Sequence, residues 1–117
     1  MNQSDDEYPD YYPAEPFTIV VDSGADKETG HEFVLHFDPE EERYNVFFFE
    51  TFGYAEKLRD EYERTSGKKA LVVRFDPRAV EERVGVRYTT AGGFKKDMTI
   101  TEYRKNMELR NPYRRDD

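Results

Sequence analysis

Apolar and polar residues alternate most regularly between His31 and Asp38. Phe33, Leu35 and Phe37 fall on one side there, and Glu32, His36 and Asp38 on the other. A period of two predicts a half-buried antiparallel strand with the three apolar side chains turned inward. Before it, Phe17-Thr18-Ile19-Val20-Val21-Asp22 is rich in β-branched residues and predicts a strand. The stretch Ser23 to Gly30, with glycines at 24 and 30, has turn chemistry. Asp38-Pro39 opens a second turn, and Tyr44 to Glu50 predicts a third strand. The run Phe47-Phe48-Phe49 is apolar on both faces, which suits a central strand covered above and below.

The period changes at Thr51. Ala55, Leu58 and Tyr62 recur at helical spacing up to Ser66, and Gly67 is placed to stop the helix. Lys57–Glu61 and Asp60–Arg64 are opposite charges four apart, as on an exposed outer face. Strand composition returns over Lys69–Asp76 and Val84–Thr90, the latter closed by Ala91-Gly92-Gly93. Thr99 and Glu102 have capping-box spacing, opening a helix with Ile100, Tyr103 and Met107 on one face and ending before Pro112. Phe33–Pro39 is echoed by Leu71–Pro77, each followed by acids and then Arg43 or Arg83. The predicted order is β-β-β-α-β-β-α, readable also as a strand plus two ββα units. The expected fold is a two-layer α+β domain over residues 17–111, with a mainly antiparallel five-stranded sheet and two helices on one face.

Composition alters this picture in two places. Charged residues (38%) outnumber hydrophobic ones (36%) and the mean hydropathy is −1.03, values that point toward disorder. Nine Tyr and nine Phe oppose that reading, because so many rings supply a short chain with ample apolar area to bury. Residues 1–16 differ from the rest: three prolines, five acids and no base predict a disordered acidic Tyr/Pro tail, with Tyr8, Tyr11 and Tyr12 its unusual feature. Residues 112–117 are read as a short C-terminal tail. The lack of cysteine excludes disulfides and thiolate metal sites. An acidic, polar start and the absence of any run near 20 apolar residues lead to the expectation of a cytoplasmic protein with no membrane partner.

Motif chemistry is sparse. Ile19-Val20-Val21-Asp22-Ser23-Gly24-Ala25 resembles the active-site strand and turn of retroviral-type aspartic proteases, a family in which the Asp is half of a proton-sharing dyad. The resemblance ends after seven residues. Glu28 stands where an apolar residue should begin packing, no Gly-rich flap follows, and Arg83-Val84-Gly85 does not fit the later supporting segment. Asp22 is therefore expected to be a turn residue. His31 and His36, five apart on one strand, point to opposite faces and cannot share a metal. Glu40-Glu41-Glu42 lack the spacing of a calcium loop, and Gly92-Gly93 lack the Lys-Ser/Thr start of a phosphate loop. No catalytic residue, metal or cofactor is expected.

The distribution of charge is the remaining signal. Residues 1–56 carry 15 acids against Lys27 and Arg43, and residues 57–117 carry 16 bases against 11 acids, within a net charge of −8. The reading that follows is a small acidic, non-catalytic protein-binding module: an inhibitor or adaptor that turns carboxylates toward a basic protein partner such as a nuclease or nucleic-acid-binding protein. Immunity proteins and phage anti-defence inhibitors share this size and charge, by analogy of composition. The expected protein-binding residues are Asp5, Asp6, Glu7, Asp10, Glu40, Glu41 and Glu42, acting through charge complementarity. The competing reading is a nucleic-acid binder that uses Arg87, Lys95, Lys96, Arg104, Lys105 and Arg110, interleaved with Tyr88, Phe94, Tyr103 and Tyr113.

Overall fold

The computed structural model describes residues 12–22 and 31–110. Seven strands and two helices form an α+β fold: β1 (Phe17–Asp22), β2 (His31–Phe33), β3 (Leu35–Asp38), β4 (Arg43–Phe49), α1 (Phe52–Ser66), β5 (Ala70–Arg74), β6 (Gly85–Thr89), β7 (Lys95–Thr99) and α2 (Ile100–Arg110). All strands belong to one mixed sheet, in which β4 and β6 run parallel and every other pair is antiparallel. Two strands exceed the expected five. The alternating segment is broken at Val34, so its first half pairs with β1 and its second with β4. Lys95–Thr99, too polar to read as a strand, pairs with β6 across the Ala91-Gly92-Gly93 turn. β4 and β1 meet directly only at Phe17 and Phe49. The apex at Val34, whose N–H donates to the Ile19 carbonyl at 3.1 Å, is wedged between them where they splay apart.

The helices pack on opposite faces of the sheet, not on one as expected. Alternation along β4 makes this inevitable: Val46 and Phe48 pack with Tyr103 and Met107 of α2, whereas Phe47 and Phe49 pack with Ala55 and Leu58 of α1. The three-phenylalanine run is thus covered on both sides, and each helix-on-sheet contact is of the two-layer kind. α1 ends at Gly67, whose left-handed φ of 76° lets its N–H reach the Glu63 carbonyl. Among the described residues, the ion pairs on α1 join Arg59 to Glu56 and Asp60, not the pairs expected from spacing. α2 starts with the predicted capping box: the Thr99 N–H donates to Glu102 Oε1 at 2.8 Å, and the Glu102 N–H to Thr99 Oγ1 at 3.0 Å.

Residues 12–16, expected to end a tail, belong to the core. Tyr12 is 3% exposed and stacks on Tyr88 with ring centroids 4.9 Å apart. The Tyr103 hydroxyl donates to the Pro13 carbonyl at 3.0 Å, and the Phe75 N–H to the Pro16 carbonyl at 3.1 Å. Prolines lack a donor, yet their carbonyls accept, and here they take bonds from residues distant in sequence. The Asp38-Pro39 and Asp76-Pro77 turns do share local geometry, since each Asp side chain accepts the N–H two residues on. The first closes the β3–β4 hairpin. The second starts a 3-10 turn on the way to β6, so the two ββα units do not recur in three dimensions.

Candidate functional site

The β3–β4 hairpin carries the acidic turn and an apolar face together. Asp38 and Arg43 close its last pair, and Asp38 Oδ1 accepts from the N–H groups of Glu40 at 3.0 Å and Glu41 at 3.4 Å. Glu42 adopts a left-handed φ of 54°, a conformation that ordinarily favours glycine. The chain therefore turns sharply and leaves Glu40, Glu41 and Glu42 exposed, with none in an ion pair among the described residues.

Below this tip, Leu35 pairs with Val46 and Phe37 with Tyr44, so all four lie on the face that α2 covers elsewhere. α2 packs on β6, β7 and the Phe48 end of β4, leaving the end of the hairpin near its tip exposed. Leu35, Phe37 and Tyr44 are accordingly 42%, 47% and 54% exposed, and the Phe37 and Tyr44 rings meet edge to face at 5.1 Å. The alternation correctly placed Leu35 and Phe37 on one face of β3. The inward placement expected for Leu35 and Phe37 does not hold, because nothing in the described structure is packed over them. On the opposite face, Arg43 Nε donates to Asn45 Oδ1 at 3.3 Å, directly over Gly85. A β-carbon at position 85 would collide with both side chains, so a larger residue there would oblige Arg43 and Asn45 to move.

The structure does not gather the basic residues of the competing reading on one surface. Arg87 forms a two-pronged ion pair with Asp97, both N···O distances being 2.8 Å, and each raises the charged population of the other. Chiefly through that hydrogen bonding, Asp97 is held below the usual aspartate range. Arg104 donates to the carbonyls of Pro77, Arg78 and Val80, at 3.2, 3.3 and 2.6 Å, and so fastens the β5–β6 connection to α2. Lys96 and Lys105 flank a shallow depression beside α2, whereas Arg87 and Lys95 border a groove beside α1. Asp5, Asp6, Glu7 and Asp10, and the side chain of Arg110, lie outside the described residues, as does the Ser23-Gly24 turn after Asp22.

The groove beside α1 escaped the sequence reading. It encloses about 340 Å³ between Tyr54, Lys57 and Leu58 of α1 and the sheet residues Phe47, Phe49 and Thr89. Its only sequence signal was the double-sided phenylalanine run, because the gap depends on how far α1 extends across the sheet. No described helix is long and apolar enough to cross a membrane. Comparison of the chain with protein-family models, curated proteins and solved structures returns no match.

Proposed function

We propose that this chain is a small, acidic, non-catalytic binding module that docks on a basic protein through the β3–β4 hairpin, acting as an inhibitor or adaptor. The observation that carries the reading is the adjacency of three exposed apolar side chains, Leu35, Phe37 and Tyr44, to three exposed carboxylates, Glu40, Glu41 and Glu42, that form no ion pair among the described residues. An apolar patch rimmed by charge has the anatomy of a protein interface, in which buried aromatics contribute most of the affinity. The rim carboxylates steer encounter with a partner of opposite charge. The acidic surplus of residues 1–56 supports the choice of a basic partner.

Affinity capture from the native host tests this with three baits: the wild type, Glu40→Lys/Glu41→Lys/Glu42→Lys and Phe37→Ala/Tyr44→Ala. A basic protein should be retained by the wild type and lost from both variants. With the purified partner, the charge variant should associate about tenfold more slowly at low ionic strength, and the difference should shrink with added salt. The aromatic variant should mainly dissociate faster. A partner retained equally by all three baits would refute the assignment of the surface. Salt-sensitive binding of single-stranded nucleic acid, lost on neutralising Lys95, Lys96 and Lys105, would refute the protein-partner reading itself.

A further inference from the structure

We infer that the outer edge of β5 is a self-association surface, through which two copies of this chain pair antiparallel and continue one sheet across both. β5 lies on the far side of β1 from the β3–β4 hairpin, so this surface is separate from the one proposed above. Its position follows from the pairing. Among the described residues β5 bonds to β1 alone and β7 to β6 alone, so each presents an open edge. Such an edge exposes a row of backbone donors and acceptors, which natural sheets commonly guard with charge. β7 is guarded in this way by Lys95, Lys96 and Asp97, all exposed. β5 is not: Ala70-Leu71-Val72-Val73 brings no charge, proline or bulge before Arg74.

The register sets which groups face outward. The Phe75 N–H donates to the Pro16 carbonyl, and bonded pairs alternate along an antiparallel ladder. Leu71, Val73 and Phe75 therefore turn their backbone polar groups toward β1, while Ala70, Val72 and Arg74 turn theirs outward. Glu63 of α1 accepts the Ala70 N–H at 2.8 Å and so caps one end of the edge. The other outward groups, centred on Val72, have no partner among the described residues. That row is complementary to itself. With a two-fold axis through Val72, the Val72 N–H of each copy donates to the Val72 carbonyl of the other. Each Arg74 N–H then meets the partner's Ala70 carbonyl, and no existing bond is broken. On the face away from α1, Leu71, 49% exposed in the single chain, comes beside the partner's Val73. Charge fixes the register. Exposed Lys68 falls opposite the partner's Asp76, where the chain is still extended. A shift of two residues either way would set Lys68 against Arg74 or Arg78 instead, a like-charge pairing. Bonds, apolar cover and charge thus all point to a second copy as the occupant.

The test uses the full chain and sedimentation velocity over a concentration series. An edge pairing buries less than a standard interface and is weak, so dimer should become appreciable on the order of 100 µM. Val72→Pro removes an outward N–H that bonds nothing within the chain, and should abolish the dimer while the circular dichroism spectrum is retained. Lys68→Glu should weaken the dimer about tenfold, because it places two acids opposite each other at both ends of the pairing. The chain has no cysteine, so Val72→Cys puts its single thiol on the axis. Mild oxidation should link two copies of that variant, since bonded antiparallel pairs stand about 5.5 Å apart at Cα, within disulfide reach. Arg74→Cys, whose symmetry mate lies several residues along the strand, should not link. Phe37→Ala/Tyr44→Ala should leave the dimer intact, which separates this outcome from that of the hairpin proposal. The inference is overturned if the chain stays monomeric up to about 500 µM. It is equally overturned if folded Val72→Pro still dimerises, if Lys68→Glu leaves the affinity unchanged, or if the two cysteine variants link to the same extent.

Discussion

Replacing Tyr12 by Ala removes a ring from the centre of the larger core. Tyr12 stacks on Tyr88 and meets Tyr103 edge to face at 5.3 Å, while Tyr103 is itself fastened to the Pro13 carbonyl. Truncation of a buried large aromatic costs about 3–5 kcal/mol, ring contacts included. The neighbouring Tyr88 and Tyr103 rings can relax into part of the space left behind, so the lower bound of about 3 kcal/mol is the better expectation. For a domain of this size each kcal/mol lowers the melting temperature by roughly 4–8 °C, which gives a fall of about 12–24 °C. Tyr12→Phe keeps the ring and should lose no more than about 1 kcal/mol. Deleting residues 1–15 removes the ring together with its neighbours and should cost at least as much as Tyr12→Ala. Thermal unfolding followed by far- and near-ultraviolet circular dichroism reads all three, since the near-ultraviolet signal reports the packed tyrosines. A Tyr12→Ala protein melting within about 3 °C of the wild type would show that this segment is not part of the core, and that the three-tyrosine cluster does not hold the sheet to α2.

Three further outcomes follow from local geometry. Glu102→Ala removes one half of the capping box, leaves the Thr99 N–H without its carboxylate, and should cost about 1 kcal/mol in chemical denaturation. Gly93→Ala meets both an unfavourable left-handed φ and the Tyr54 hydroxyl; a loss of about 1–2 kcal/mol is expected, relieved in part by Tyr54→Phe. Asp97→Asn tests a pH dependence. Arg87 depresses the Asp97 carboxyl in the folded state, so the pair stabilises the fold above the unfolded-state value of about 3.9 and loses that contribution as pH falls through the lower folded value. With both side chains partly solvated, the variant should be less stable by about 1 kcal/mol near neutrality, and the difference should vanish in acid below both values.

Much of this protein is legible locally. The capping box at Thr99 and Glu102, the glycine stop at Gly67 and the aspartate–proline turns each depend on groups within a few residues of one another, so spacing alone predicts them. The period of two in β3 and the doubly apolar run of β4 likewise identify strands and assign side chains to faces. The acidic turn at Glu40–Glu42 was also readable, because a turn flanked by strands must meet solvent.

Tertiary structure decided what lies over each face, and with it the candidate site. Alternation groups Leu35 with Phe37 but carries no information about whether a helix covers them; the reach of α2 determines that. Tyr12 and the prolines after it had no periodicity to reveal them, since they pack through single rings and carbonyls against residues about 60 to 90 positions away. The basic half of the chain was dispersed for the same reason: Arg87 and Asp97 lie opposite on paired strands, and Arg104 meets carbonyls of a distant turn. Composition counts charges, whereas strand order and helix placement determine which of them share a surface. The groove lined by Phe47 and Phe49 exists because α1 crosses three strands of a sheet that continues beyond it, a fact of long-range pairing that no local sequence pattern encodes.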